Sequence, residues 1–155
     1  VGVDSDEHDE AGHITEDLTL RPRMVKKRLH ERLKLLRKDS VPPTLYGGED
    51  YRVLVVAWGS TLHVVREAID GIGRSDVSML HFSQVYPLSP LTREYLDRAE
   101  TLAIVENNAT CQLGKLIQLE SGFMIPEEKR LLKFDGLPFP VEQVEAFLEG
   151  LGGGV

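Results

Sequence analysis

Six consecutive residues, Val53 to Trp58, are apolar without a break, and Gly59 closes the run. A short apolar run this rich in β-branched residues predicts a strand buried on both faces, as in a parallel sheet with helices above and below. Gly59 ends the strand, and Ser60 or Thr61 is expected to cap the helix that follows, because a side-chain oxygen there satisfies an orphan N–H of the first turn. That helix, about 62–72, places Val64, Val65, Ala68, Ile69 and Ile72 on one face. A strand–turn–helix unit of this kind seeds a parallel α/β sheet whose functional edge lies where the strands end.

The remaining pattern repeats the unit. Strands are predicted at Val77 to Phe82, Thr101 to Val105 and Arg130 to Phe134. Helices are predicted at Leu91 to Ala99, at Ala109 to Ser121 with Leu113, Leu116, Ile117 and Leu119 inward and Gly122 as C-cap, and at Val141 to Leu151. Strands alternating with helices give right-handed crossovers and a mainly parallel, three-layer α/β domain of Rossmann-like type. Its expected extent is 51–155, ending in a frayed glycine tail at 152–154. Residues 1–50 are then a lead-in of charged loop, basic helix and linker.

The lead-in has three parts. Residues 1–17 hold seven acids, with His8 and His13, and no periodicity; they read as a solvated loop. The same residue types can bind a divalent metal, but His8 and His13 lack the i, i+4 helical spacing of the zinc motif. Residues 19–38 hold nine of the eighteen positive charges, with Val25, Leu29, Leu33 and Leu36 spaced as an apolar stripe on a helix. Thr19 is the expected N-cap, and Pro22 fits only in the first turn. Such a helix either packs its stripe on a neighbouring domain or meets an anionic surface. Residues 39–51, with Pro42-Pro43 and Gly47-Gly48, read as linker. The chain starts with Val1 rather than Met, which points to the C-terminal part of something longer.

Composition narrows the function. One cysteine, Cys111, excludes an internal disulfide and an all-cysteine metal or iron–sulfur site. A net charge of −7 argues against general nucleic-acid binding. No apolar run reaches the length of a membrane span, and the acidic N-terminus is unlike a signal peptide, so a reducing cytoplasmic setting is expected. The loops after the first and third predicted strands, with Gly59 and Ser60 in one and Asn107 and Asn108 in the other, precede helix N-termini and can face an anion in a shared crevice. They serve equally as caps and turns. No nucleotide-binding glycine motif and no GxSxG elbow is present. Cys111, in a first helical turn, is expected as a small buried residue. No catalytic residue and no metal site emerges from this reading.

Five stretches in order carry a resemblance: Ser5 to Asp17, Arg23 to Leu29, Val53 to Thr61, Val105 to Thr110, and Gln112-Leu113. Together they resemble the C-terminal part of the α subunit of 2-oxoacid:ferredoxin oxidoreductases, the 2-oxoglutarate type most of all, over nearly the whole chain. Pro22 and Cys111 depart from the pattern; a glycine is expected at the second. The resemblance implies a transketolase C-terminal-like domain of a complex that decarboxylates a 2-oxoacid to an acyl-CoA. It implies thiamine diphosphate, Mg, iron–sulfur clusters and CoA for the complex, none of them bound by this piece alone. Implied partners are the β subunit, the rest of the α subunit and ferredoxin, with neither nucleic acid nor membrane. By the same resemblance Asp6, Glu7, His8, Asp9 and His13 line the active-site cleft, while the isolated chain is inactive and serves assembly. Two other readings stay open: a stand-alone subunit-interaction module, and a small-anion-binding α/β domain.

Overall fold

A computed structural model describes residues 6–152. It divides into two compact units, one through Ser40 and one from Val41. Asp4 and Ser5, and Gly153 and Gly154 of the expected tail, lie outside the described residues.

The second unit is a five-stranded sheet in the order β3-β5-β4-β6-β7, with β3 Thr44–Tyr46, β4 Val53–Trp58, β5 Val77–Phe82, β6 Thr101–Glu106 and β7 Arg130–Leu132. β4, β5, β6 and β7 run parallel, while β3 pairs antiparallel with β5. Alternation along β4 explains the layers. Val53, Val55 and Ala57 pack on Val65, Ala68 and Ile69 of α3 (Leu62–Ile72) and on Val144 and Leu148 of α6 (Val141–Gly150). Leu54 and Val56 face Leu96 of α4 (Thr92–Arg98) and Leu113 and Ile117 of α5 (Gln112–Ser121). Leu54, Val55, Val56 and Ala57 are fully buried, so β4 is the centre of a three-layer α/β/α domain, as its composition predicts.

Several expectations are corrected. The stretch 39–51 is more than a linker. Thr44 to Tyr46 pairs with His81 to Met79 as an edge strand, and the second unit starts ten residues ahead of Tyr51. The Gly47-Gly48 pair is a tight turn: Gly47 has φ +112° and rests on Ser78, whose Oγ donates to Gly48 O at 2.8 Å. A Cβ at Gly47 would collide with that hydroxyl. Helix α5 begins at Gln112 rather than Ala109, because Cys111 holds φ +52°, a left-handed conformation that cannot continue a helix. Leu119 points outward and is 81% exposed.

In the first unit β1 (Glu7–His8) and β2 (Ile14–Thr15) form a small antiparallel hairpin. The basic helix runs as α1 (Leu20–Lys26), a π-helical stretch over Lys27–Arg32, and α2 (Leu33–Lys38). A π stretch shifts the face by one residue, so the expected stripe does not hold: Leu29 and Leu36 are exposed, while Met24 is buried. Thr19 makes no side-chain cap bond. Asp17 caps instead, its Oδ1 accepting from Thr19 N at 2.7 Å and Leu20 N at 3.3 Å. Pro22 sits in the first turn, where its missing N–H costs nothing.

Candidate functional site

β4 leads to α3 and β5 on one side, whereas β6 lies on its other side. The carboxyl ends of β4 and β6 therefore flank a switch point, where open α/β sheets offer a crevice. A crevice of about 780 Å³ lies there, lined by Ser60, Thr61 and Asn107 from the first two loops, by His63 from the first turn of α3, and by Phe134, Leu137 and Phe139 from the segment after β7. Ser60 and Asn107 thus share one cavity, while Gly59 and Asn108 do not line it.

The two loops are held by different devices. Thr61 does not cap α3 forward; its buried hydroxyl turns back, donating to Trp58 O at 2.9 Å and accepting from Trp58 N at 3.2 Å. His81 Nε2 donates to Gly59 O at 3.1 Å, and Tyr46 stands edge-on against the His81 ring. Residues of β3 and β5 thereby fix the turn after β4.

On the α5 face the organising residue is Glu106, fully buried at the end of β6. Its Oε1 accepts from Leu113 N at 2.8 Å, from Trp58 Nε1 at 3.3 Å and from the Asn108 side-chain amide. Asn108 Oδ1 in turn accepts from Thr110 N at 3.1 Å and Gln112 N at 3.2 Å. A carboxylate at a helix N-terminus meets free N–H groups and the positive end of the helix dipole. Glu106 therefore supplies at α5 the negative charge that a bound anion would bring. Burial, and then the Glu106 charge, push the Cys111 thiol up. Nothing in the sequence ranks Glu106 above an ordinary loop acid. The one available signal is its place at the end of the β6 strand, directly after the apolar run Leu102 to Val105.

The acidic lead-in has its own geometry. Glu7 and Arg28 form a two-pronged ion pair at 2.7 and 2.8 Å. With the His8 N–H, the Arg28 guanidinium lowers the Glu7 carboxyl to about 2. Asp9 closes the hairpin turn: its Oδ1 accepts from His13 N at 2.8 Å and Ala11 N at 2.9 Å, and its Oδ2 meets His13 Nδ1 at 3.1 Å. The His13 N–H leads the effects that lower its pKa. Asp6 and Glu7 line a second cavity of about 350 Å³ with Asp17 and Arg21, which His8, Asp9 and His13 do not reach. Among the described residues no three His, Cys, Asp or Glu converge as metal ligands. With one buried cysteine, the chain's residues do not fit an iron–sulfur cluster held by several thiolates.

No family model matches this chain. The α subunit of 2-oxoacid:ferredoxin oxidoreductase 1 of Aeropyrum pernix is 36% identical over 93% of this chain. The chain matches a segment of 2-oxoacid:ferredoxin oxidoreductase α subunits. The Saccharolobus solfataricus α subunit agrees, at 30% identity over 94% of the chain. The chain spans about a quarter of the length of these curated relatives, 24% and 23% respectively. Among solved structures, the 2-oxoglutarate:ferredoxin oxidoreductase of Magnetococcus marinus, with 2-oxoglutarate, coenzyme A and succinyl-CoA bound, matches 94% of this chain and 25% of its own at TM-score 0.73 and 24% identity. That likeness bears on the fold, which agrees with the transketolase C-terminal-like α/β domain that the sequence implies. Cys111 acquires a meaning here: the resemblance calls for glycine at that position, and the backbone adopts the left-handed conformation that glycine enters freely.

Proposed function

We propose that this chain is the α/β segment of an α subunit in a thiamine-diphosphate and iron–sulfur dependent oxidoreductase, which converts a 2-oxoacid, 2-oxoglutarate by preference, to an acyl-CoA with ferredoxin as acceptor. The 36% identity to an α subunit along 93% of the chain carries this reading. In it the segment holds no cofactor of its own. Thiamine diphosphate with Mg, the clusters and CoA belong to the rest of the complex, and the segment serves assembly with the β subunit and the remaining α-subunit polypeptide. The hairpin carrying Asp6, Glu7, His8, Asp9 and His13 borders the active-site cleft in the assembled enzyme. No helix among the described residues is long and apolar enough to cross a membrane. In this reading the complex works in the cytoplasm.

The test has two arms. The chain alone, titrated with thiamine diphosphate and Mg in a calorimeter, gives no binding. Restored to a full-length α subunit with its β subunit, it supports ferredoxin reduction with 2-oxoglutarate at least about tenfold faster than with pyruvate. Tight cofactor binding by the chain alone overturns the assignment, and equal rates overturn the substrate.

The small-anion reading rests on Ser60 and Asn107 facing one crevice. Against it, the α5 N-terminus already holds Glu106, and Lys133, the cation of the crevice, is paired with Asp135.

A further inference from the structure

The two edges of the sheet differ in chemistry. The loops after the parallel strands are 59–61, 83–91, 107–111 and 133–140, and all emerge at the carboxyl edge. Within them only Lys133 and Asp135 are charged, and these two pair with each other. The connections at the opposite edge, 47–52, 73–76, 99–100 and 122–129, carry nine charged residues. Exposed apolar side chains follow the opposite trend. Of eight large ones among the described residues of the second unit, Val41, Trp58, Tyr86, Leu91, Phe134 and Leu137 lie at the carboxyl edge, the last two at 71% and 65% exposure. Val41 belongs there because its N–H donates to Gln84 Oε1 of the 83–91 loop. The opposite edge keeps only Leu119 and Met124.

Depletion of charge with concentration of aromatic and apolar side chains is the compositional mark of a protein interface core. It differs from a solvated loop surface, which would carry the 28% charged content of the chain as a whole. It also differs from an anion site, since the loops offer no unpaired cation. The curated relatives are about four times as long as the matched segment, so most of such a subunit lies outside this chain and must pack on some face of it. We infer that the carboxyl edge, with the crevice beneath Phe134 and Leu137, seats another stretch of the same α-subunit polypeptide, one that brings apolar side chains and uncharged hydrogen-bonding groups. This rests on the α-subunit reading and adds to it which face is covered, and by what.

Hydrogen exchange read by mass spectrometry compares the 155-residue chain with the longer polypeptide containing it. Peptides over 83–91 and 133–140 exchange at least about tenfold more slowly in the longer form, while 122–129 at the opposite edge is unchanged. Phe134→Ser with Leu137→Asp in the longer form restores fast exchange at those loops and leaves the amides of 53–58 protected. Equal rates at the carboxyl edge in the two forms overturn the inference. So does slowing already present in the short chain at high concentration, which would assign the face to a second copy. Slowing of the short chain by 2-oxoglutarate or coenzyme A alone would assign it to a small molecule and overturns it too. The α-subunit reading fails separately: a native polypeptide with the mass of 155 residues removes both, whereas a longer polypeptide with an unprotected edge removes only this inference.

Discussion

Glu106→Ala is expected to remove the acceptor that ties α5, Trp58 and Asn108 together. The three donors will not suffer equally. Trp58 is 37% exposed and the Asn108 side chain is partly exposed, so both can turn to water. The Leu113 N–H lies in the buried first turn of α5 and has no such escape. Leaving it unsatisfied costs about 1–3 kcal/mol. Losing the negative charge at the helix N-terminus adds about 0.3–1 kcal/mol, and emptying the fully buried site adds about 1 kcal/mol more. The total, roughly 2–5 kcal/mol, is a large share of the 5–15 kcal/mol of a typical domain. Glu106→Gln keeps an oxygen for Leu113 and places its amide where Oε2 has no hydrogen-bond partner among the described residues; about 1–2 kcal/mol is expected. Urea unfolding followed by circular dichroism gives both values. The fluorescence of Trp58, the sole tryptophan, reports its lost indole bond in the native baseline. A loss below about 1 kcal/mol for the alanine variant, or equal losses for the two, refutes the donor-satisfaction argument.

Val55→Asp places a carboxylate in the fully buried centre of the sheet, costs several kcal/mol, and is expected to give no folded domain by circular dichroism. Gly47→Ala meets both φ +112° and the Ser78 hydroxyl; thermal melting should fall by several degrees, and adding Ser78→Gly should recover part of the loss. The Glu7 carboxyl titrates near 2 in the folded hairpin against an ordinary 4.5. A depressed acid contributes stability above its unfolded value and loses it as pH falls through the folded one. Exchange of the His8 amide should therefore be steady above pH 4.5, after correction for intrinsic rate, and should lose protection between 4.5 and 2; in Glu7→Gln that dependence should vanish.

The centre of the fold was legible because its signals are local. β4, α3 and β5 have the bounds read from the sequence, since an unbroken apolar run, a helical stripe and a glycine stop leave little alternative. β3 was not legible: three residues between a proline pair and a glycine pair carry no periodicity, and their place depends on pairing with β5 far along the chain. The start of α5 was missed because the conformation of Cys111 is set by its surroundings. The stripe on the basic helix failed because a π stretch has no signature in spacing. At the candidate site, the shared crevice of Ser60 and Asn107 follows from topology, which the strand–helix alternation already encodes. The role of Glu106 does not, because a buried acid and a loop acid look alike until the donors around them are placed.

The sheet ends on both sides in strands of three residues, β3 and β7. A border so short exposes few free N–H and C=O groups, and the antiparallel run of β3 closes one of the two margins of an otherwise parallel ladder. Such margins are poor templates for adding another strand. Growth of this domain into a larger particle is thereby channelled away from strand addition, which is hard to reverse, and toward side-chain contact through loops and helices, which can form and separate without breaking the sheet.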